Sequence, residues 1–235
     1  MKGLQLPLGV QLADTASFDS YHTGPNAEAV AAARSLLQAS GPPLLFLFGP
    51  PGSGKTHVLQ ALTREAAAAR LACAYVPARQ LGADAAEALD GLQEADVVCV
   101  DDAEALAGDT AGALALLRLL DAVRSHGHHA LLAAPGAPER LKIALPDLAT
   151  RLAAGAVYGL KPLTDEDRLN LLRWRARGRG LELPDEAAQH LIERLARDVP
   201  SLLAALDALD RASLSAKRRL TLPFVQQWLR DAAPR

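Results

Sequence analysis

A run of eight residues near the end of the first quarter of the chain has the spacing of a phosphate-binding loop. The run at 49–56 reads Gly-Pro-Pro-Gly-Ser-Gly-Lys-Thr and matches the pattern G-x-x-x-x-G-K-[ST]. Glycines at this spacing let backbone N–H groups turn toward phosphate oxygens, Lys55 can reach the β- and γ-phosphates, and the Thr56 hydroxyl can ligate Mg²⁺. We therefore predict a nucleotide site, with an accidental glycine-rich turn as the alternative. The residues predicted to bind nucleotide in and directly after this run are Gly49, Pro50, Pro51, Gly52, Ser53, Gly54, Lys55, Thr56 and His57.

The segments on either side of this loop have the character that a phosphate site requires. Five apolar residues at 44–48 predict a short buried strand, and residues 57–62 have helix-forming character. A strand fixes the start of the loop, and the helix that follows directs the positive end of its dipole at the phosphates. These flanking elements argue against an accidental turn.

A second apolar run ends in two acids. Residues 97–100 predict a strand, and Asp101 and Asp102 follow it directly. We predict that Asp101 holds Mg²⁺, directly or through water, and that Asp102 polarises an attacking water as a general base. Strands often end in acidic turns, so this interpretation depends on the phosphate-binding loop in the same chain.

Short apolar segments alternate with helical stretches over the first two thirds of the chain. Besides 44–48 and 97–100, strands are predicted at 72–76, 130–133 and 156–160. This alternation predicts an α/β fold in which a parallel five-stranded sheet lies between helices. Ligands on such sheets bind beyond the carboxyl ends of the strands, so we expect the functional candidates near that edge.

Three parts of the chain are predicted to be distinct. Residues 1–12 form an apolar tail in which Pro7 and Gly9 disfavour internal regular structure. This tail is predicted to be an extended binding peptide, with a strand or arm packed on its own domain as the alternative. Residues 13–162 form the nucleotide-binding domain. Residues 163–235 show apolar spacings of three and four residues between breaks, which predicts a small all-helical lid domain.

Composition excludes several classes of protein. The formal net charge of −2 provides no strong field for nucleic acid. Cys73 and Cys99 lie in apolar runs without partners at metal-ligand spacing, as expected of buried thiols in a reducing cytosol. No apolar signal core and no run of about 18 apolar residues is present, so we expect a soluble, cytoplasmic protein without membrane contact.

Before the first strand, Asn26 is predicted to cap a helix over 27–38.

Three further stretches resemble the Hda family, a group of DnaA-related AAA+ proteins. Gln5-Leu6-Pro7-Leu8 resembles the sliding-clamp-binding peptide at the N-terminus of that family. Phe18-Asp19-Ser20-Tyr21, followed by Gly24 and Asn26, resembles the entry segment that lies near the adenine. Residues 145–152 resemble the box that carries the arginine finger, and the helical part looks like an Hda lid. The likeness covers nearly the whole chain.

This resemblance implies a function that the motifs alone would not. Hda proteins, bound to ADP and docked on the DNA-loaded sliding clamp, which is the β subunit of DNA polymerase III, promote hydrolysis of the ATP held by the initiator DnaA. That hydrolysis prevents re-initiation of replication. By the resemblance, Gln5, Leu6 and Leu8 plug the clamp pocket, Phe18 lies near the nucleotide, and Arg151 is an arginine finger that acts on DnaA. The resemblance implies mainly indirect contact with DNA, through the clamp, and is compatible with a nucleotide-dependent homo-oligomer.

Two departures from the family pattern predict weak intrinsic ATPase activity in a phosphate-loop NTPase fold. Residues 132–135 lack the Ser, Thr, Asn or Asp that AAA+ ATPases usually place there to orient water. In the lid, Pro200 stands where related proteins carry a nucleotide-sensing arginine, and Arg197 lies one turn away. We therefore expect ADP or ATP to be a structural ligand, and the pattern does not separate the two.

An alternative function shares the same nucleotide core. A DnaA-like initiator or a helicase-loader ATPase would act directly on DNA. A full initiator is expected to continue into a basic helix-turn-helix domain, whereas this chain ends at Arg235 directly after the lid. A metabolic kinase is a third interpretation, which the separate helical lid and the box that contains Arg151 disfavour.

Overall fold

The computed structural model describes residues 16–195, 198–216 and 218–232. Within it the chain divides into two compact units, and the division falls between Pro162 and Leu163. None of the helices in these ranges combines the length and the apolar character needed to span a membrane.

The first unit is built on a five-stranded sheet. Its strands are β1 (Leu44–Phe48), β2 (Cys73–Pro77), β3 (Val97–Asp101), β4 (His129–Ala134) and β5 (Ala156–Gly159). Their order across the sheet is β2-β3-β4-β1-β5, and each neighbouring pair is parallel. The predicted parallel five-stranded sheet is therefore confirmed, and β1, which leads into the phosphate-binding loop, is an interior strand.

Helices connect these strands and cover both faces of the sheet. The helices of the first unit are α1 (Ala27–Ser35), α2 (Lys55–Ala68), α3 (Ala78–Leu81), α4 (Glu104–Ala107), α5 (Thr110–Ser125) and α6 (Pro146–Ala153). Short 3₁₀ turns lie at Gly24–Asn26, Gly82–Ala85, Glu87–Leu89, Leu92–Glu94 and Pro138–Arg140.

Alternate residues of β1 enter two separate apolar clusters. Phe46 packs in the cluster that also contains the α5 and α6 side chains Leu116 and Leu148. Leu45 and Leu47 pack in the other cluster, with side chains of α1 and α2. Because successive side chains of a strand point to opposite faces, a continuously apolar strand buries both faces of the sheet.

The helix before β1 differs from the prediction in its cap and in its C-terminal end. It begins after Asn26, as predicted, but the Asn26 side chain does not cap it, and it ends at Ser35. The Asn26 amide instead donates from Nδ2 to the carbonyl oxygen of Lys161 at 2.9 Å, and the Lys161 N–H donates to Oδ1 at 2.8 Å. Asn26 therefore ties the start of α1 to the residues that follow β5.

The second unit is all-helical, as predicted. Its helices are α7 (Asp165–Gly178), α8 (Asp185–Arg194), α9 (Val199–Ala216) and α10 (Leu222–Ala232). A capping box starts α7, because the Asp167 N–H donates to Thr164 Oγ1 while the Thr164 N–H donates to Asp167 Oδ2. All four helices contribute leucine, valine or phenylalanine side chains to one core.

Candidate nucleotide-binding site and the Arg151 surface

The phosphate-binding loop joins β1 to α2 and depends on glycine at three positions. Gly52 and Gly54 have φ values of +76° and +95°, a region that side chains disfavour. A Cβ at Gly54 would lie 2.7 Å from the ring of Tyr21, and one at Gly49 would lie 2.5 Å from the carbonyl oxygen of Leu160. Neighbouring elements therefore approach this loop so closely that only glycine fits.

Lys55 is the first residue of α2, and its ammonium folds back on the loop. Nζ donates to the carbonyl oxygens of Gly49 at 2.7 Å and Pro50 at 3.2 Å. Burial lowers the pKa of Lys55, and the carboxylates of Asp101 and Asp102 oppose that shift. A phosphate oxygen would offer this ammonium a charged acceptor, which forms a stronger hydrogen bond than a neutral carbonyl.

A buried hydroxyl in the loop also fits a phosphate ligand. Ser53 is 4% exposed, and its Oγ makes no hydrogen bond among the described residues. Buried polar atoms nearly always have partners in folded proteins, so an orphaned hydroxyl within a phosphate-binding motif favours a polar ligand there.

The carboxyl of Asp101 lies at the end of β3 and is almost completely buried. Its Oδ2 accepts from the Tyr75 hydroxyl at 3.1 Å, and its Oδ1 accepts from the Asp102 N–H at 3.1 Å. Burial raises the pKa of Asp101, and hydrogen bonds from the Thr56 and Tyr75 side chains act in the opposite direction. The structure thus brings Thr56 and Asp101, the two predicted Mg²⁺ ligands, into contact.

This pair of oxygen ligands fits Mg²⁺ as part of a larger coordination shell. Among the described residues, no group of three or more His, Cys, Asp or Glu side chains could hold a metal ion. Mg²⁺ usually takes one or two protein oxygens and completes its shell with waters and substrate phosphates. Thr56 and Asp101 therefore suit an ion that arrives with a nucleotide.

Asp102 is held differently from its neighbour. Its φ of +52° places it in the left-handed region, which is uncommon for residues other than glycine. Its side chain is 36% exposed and lies 3.5 Å from Nε of Arg79, which also contacts Glu104. Asp102 was predicted to be a general base, and in the structure an arginine partly neutralises it.

The motifs did not identify Arg79. It lies in α3, directly after β2, and β2 pairs with β3 so that Pro77 is opposite Asp101. Only the order of the strands could have identified Arg79, because a residue that follows β2 lies beside the acids that follow β3. That order is determined by the folded sheet and cannot be inferred from a local sequence pattern.

The segment before α1 is fixed to the loop by two ring side chains. The Tyr21 hydroxyl donates to the carbonyl oxygen of Ser53 at 3.4 Å, and a ring nitrogen of His57 is 2.9 Å from the carbonyl oxygen of Ser17. Phe18 packs against the α1–α2 cluster, with the Arg34 guanidinium 5.3 Å from its ring centroid. The role of Phe18 near an adenine stays a prediction.

The carboxyl end of β4 meets the loop through a backbone hydrogen bond. The Gly49 N–H donates to the carbonyl oxygen of Ala134 at 3.3 Å. The side chains of Leu132, Ala133 and Ala134 are buried and contain no polar atom. No side chain at this strand end could therefore orient a water for hydrolysis, in agreement with the departure noted in the sequence.

Arg151 lies in the last turn of α6 and is paired with an acid of α5. Its side chain is 28% exposed, and Nη2 lies 2.5 Å from Oδ1 of Asp121. After α6 the chain enters β5, and a Cβ at Gly155 would lie 2.8 Å from Leu44, the first residue of β1. Arg151 is therefore near the amino edge of the sheet, so the expectation that every candidate lies near the carboxyl edge was wrong for this residue.

The remaining predicted residues fall at or beyond the limits of the described chain. Pro200 is the second residue of α9, a first-turn position that accepts proline. Gln5, Leu6, Leu8 and Arg197 lie outside the described residues.

Comparison with known proteins gives two family matches that together span most of the chain. Residues 12–159 match the family described as the bacterial DnaA ATPase domain. Residues 165–229 match the family described as the Hda lid domain.

The chain is also similar to solved structures over most of its length. Domain III of the Thermotoga maritima replication initiation protein DnaA is 22% identical with a TM-score of 0.79, over 94% of this chain and 98% of that one. AMPPCP-bound DnaA from Aquifex aeolicus is 19% identical with a TM-score of 0.74, over 86% and 67%. The Thermotoga maritima RuvB Holliday junction branch migration motor is 20% identical with a TM-score of 0.65, over 92% and 72%. At these identities the likeness establishes the AAA+ fold alone.

Proposed function

This chain belongs to the family of the bacterial DnaA ATPase domain and, with its Hda-type lid, is a DnaA-related AAA+ regulator; on that premise we propose that it stimulates hydrolysis of the ATP bound to DnaA. It binds ADP or ATP with Mg²⁺ in its own loop and offers Arg151 to the nucleotide of its partner. The observation that carries the proposal is the position of Arg151, partly exposed at the edge of the sheet opposite its own phosphate-binding loop.

Nucleotide binding follows from the loop geometry. Backbone N–H groups of the loop and the Lys55 ammonium bind the phosphate oxygens, and Thr56 and Asp101 hold Mg²⁺. The ion neutralises phosphate charge when it is bound. The Aquifex aeolicus neighbour, whose structure contains AMPPCP, supports this part of the proposal.

Arg151 acts on a second protein because its own loop is too far away. The five residues of β1 separate the two edges of the sheet by roughly 16 Å, at about 3.3 Å per residue. That distance exceeds the length of an arginine side chain. A planar guanidinium pairs well with the oxygens of a transferring phosphoryl group, and such fingers accelerate hydrolysis by about 10³- to 10⁵-fold.

The protein's own hydrolysis is slow in this scheme. The end of β4 offers no polar side chain to the attacking water. Asp102, the predicted general base, is paired with Arg79. Bound nucleotide therefore shapes the molecule without being consumed quickly.

Docking on the sliding clamp is assigned to the N-terminal peptide by the family resemblance. The Gln5 amide makes specific hydrogen bonds, and Leu6 and Leu8 fill an apolar groove of the clamp. DnaA and the clamp are the direct partners, and DNA is contacted through the clamp. The Arg151 surface also serves a nucleotide-dependent homo-oligomer when DnaA is absent.

A reconstituted reaction tests this function. DnaA carrying γ-labelled ATP is mixed with clamp loaded on DNA and with this protein in excess ADP, and release of labelled phosphate is followed. We expect rapid release only when protein and loaded clamp are both present. Slow release in the complete mixture would reject the function, and direct, salt-dependent binding of duplex DNA by this chain would favour the initiator or helicase-loader alternative.

A variant of the tail separates clamp docking from the rest. Gln5→Ala combined with Leu6→Ala is expected to abolish clamp binding and clamp-dependent stimulation while nucleotide affinity stays unchanged. Unchanged affinity for the clamp would reject the assignment of the tail.

A further inference from the structure

We propose that Asp121 is a positioning residue that holds the Arg151 guanidinium in the free protein and yields it when a phosphate of DnaA-bound ATP competes for it. This inference rests on the proposed function. It adds a regulatory carboxylate to the finger, on a different helix and outside every motif identified in the sequence.

The pair is held on two well-packed helices. In α5, the buried Leu120 and Val123 lie one residue before and two residues after Asp121, and in α6 Leu148 and Leu152 are buried. The backbones that carry the two charges are thus anchored in the core. Nη2 of Arg151 and Oδ1 of Asp121 lie 2.5 Å apart between these two helices.

The pair is nevertheless accessible to a partner. Asp121 is 46% exposed and Arg151 is 28% exposed, although the oxygen that faces Arg151 is covered from solvent. An ion pair at a partly exposed site is weak and exchangeable, because water competes with both groups. The contact therefore orients the guanidinium without locking it in place.

A second arginine lies beside the same acid. Nη2 of Arg124 is 3.9 Å from Oδ1 of Asp121. Asp121 is thus the common counterion of two guanidinium groups at this surface. When its charge is removed, Arg151 loses an attractive partner and Arg124 remains nearby as a repulsive one, so both effects favour departure of Arg151 toward an anion.

ATP offers the finger more negative charge than one carboxylate does. Guanidinium groups bind phosphate and carboxylate oxygens with similar geometry, so the two acceptors compete for the same donors. Binding to DnaA-bound ATP must therefore include release of Arg151 from Asp121. The cost of that release appears in the affinity for DnaA·ATP, and the finger, once inserted, has the same environment with or without Asp121.

The test uses Asp121→Asn, which keeps the shape of the side chain and removes its charge. We expect the concentration of protein that gives half-maximal stimulation of DnaA to fall about two- to fivefold, in keeping with an exposed ion pair. The maximal rate is expected to stay unchanged. Asp121→Glu, which restores the carboxylate, is expected to return the half-maximal concentration toward the wild-type value.

Glu65→Gln is the matched control. Glu65 pairs with Arg34 at 2.6 Å in a similarly exposed arginine–carboxylate pair of the same unit, on α2 and α1. Its neutralisation is expected to leave half-maximal concentration and maximal rate unchanged. A general effect of removing one surface acid would instead shift both variants equally.

A readout without DnaA follows the guanidinium itself. The NMR signals of the Arg151 Nη–H groups, one of which contacts Asp121, are assigned by their loss in Arg151→Ala. They are expected to move toward the position of solvent-exposed arginines in Asp121→Asn and to stay in place in Glu65→Gln. Asp121→Ser serves as a second neutral variant if Asp121→Asn does not fold.

The outcomes separate this inference from the function on which it rests. If the wild-type protein does not stimulate DnaA, the proposed function fails. If the wild type stimulates and Arg151→Ala does not, the function stands, and the role of Asp121 is decided by its own variants. A half-maximal concentration that is unchanged or raised in Asp121→Asn, or a reduced maximal rate, overturns the inference.

Discussion

The nucleotide edge of the sheet and the Arg151 surface are built in opposite ways. At the nucleotide edge, Lys55, Asp101 and Tyr21 are held by hydrogen bonds to loop carbonyls, side chains and backbone groups from several elements. At the other edge, Arg151 forms one ion pair with the described residues, and its partner is the partly exposed Asp121. The first arrangement suits retention of a ligand inside one molecule, and the second suits presentation of a charge to another.

The difference has a topological origin. In a parallel sheet every strand ends at the same edge, so loops that follow strands gather there and bury one another's polar groups. Helices run back to the opposite edge, where the chain enters the next strand. Arg151 lies in the last turn of α6, five residues before β5 begins at Ala156. A residue at that place lies at the edge of the sheet opposite the phosphate-binding loop of the same chain.

Removal of the Arg151 charge is the strongest test of the difference between the two edges. Arg151→Ala is expected to lower the stimulated rate of DnaA-bound ATP hydrolysis by about 10³-fold or more, because an arginine finger contributes at least that much. Affinity for ADP, measured by calorimetry, is expected to stay unchanged. A comparable loss of ADP affinity would mean that Arg151 supports its own site.

Arg124→Ala controls for the general charge of that surface. Arg124 neighbours the same acid and is more exposed than Arg151. Stimulation is expected to stay within about threefold of wild type, since an exposed arginine pair contributes little. Equal losses of stimulation in Arg151→Ala and Arg124→Ala would indicate that the positive charge of the surface acts as a whole and that Arg151 is not a specific finger.

Lys55→Ala tests the opposite edge of the sheet, where the phosphate-binding loop lies. Hydrogen bonds to charged groups contribute about 1.5–3 kcal/mol, so the affinity for ADP is expected to fall on the order of 10- to 100-fold. Fluorescence titration with a labelled nucleotide provides the measurement. The Arg151–Asp121 pair is expected to persist, which would show that the two edges are formed independently. Unchanged ADP affinity would reject the loop as the nucleotide site.

Asn26→Ala tests the connection between the start of α1 and the end of β5. Loss of its two hydrogen bonds to Lys161 is expected to lower the free energy of unfolding by about 1–2 kcal/mol. Urea denaturation followed by circular dichroism measures this change. Asn170→Ala, at an exposed position of α7, is the control and should change the stability by less than about 0.5 kcal/mol. Equal stability of both variants would contradict a structural role for Asn26.

Arg79→Ala is expected to have the smallest effect of these variants, and that effect is on intrinsic ATP hydrolysis. Removing the guanidinium frees the Asp102 carboxylate, so intrinsic ATP hydrolysis should rise about two- to fivefold while remaining slow. Multiple-turnover phosphate release measures the rate, with Arg140→Ala as an exposed control. A fall in the rate would show that Arg79 assists the chemistry instead of restraining it.

Local patterns were sufficient to predict the sheet and the position of the loop at 49–56 between a strand and a helix. The five strands and the loop at 49–56 were evident because short buried strands and phosphate loops have distinctive composition over a few neighbouring residues. The contact between Thr56 and Asp101 followed from the same logic, since strands β1 and β3 end at one edge.

Contacts that depend on long-range packing were not predictable from the sequence. The Asn26 side chain could hydrogen-bond to its own helix or to a distant backbone, and the fold brings Lys161, 135 positions later, within reach. Likewise the Arg79–Asp102 contact requires β2 to lie beside β3, and the Arg151–Asp121 contact requires α6 to pack on α5. None of these three contacts can be inferred from residue spacing or composition.

The most direct test of the central claim follows which nucleotide is hydrolysed. DnaA is loaded with γ-labelled ATP, this protein is loaded with unlabelled ADP, and labelled phosphate is measured in a single turnover on clamp-loaded DNA. We expect release to accelerate by about 10³-fold or more with ADP in the regulator's own loop, since the finger acts on the partner's nucleotide. Release that stays at the rate of DnaA alone while the complex forms, or that requires ATP in the regulator's loop, would contradict it.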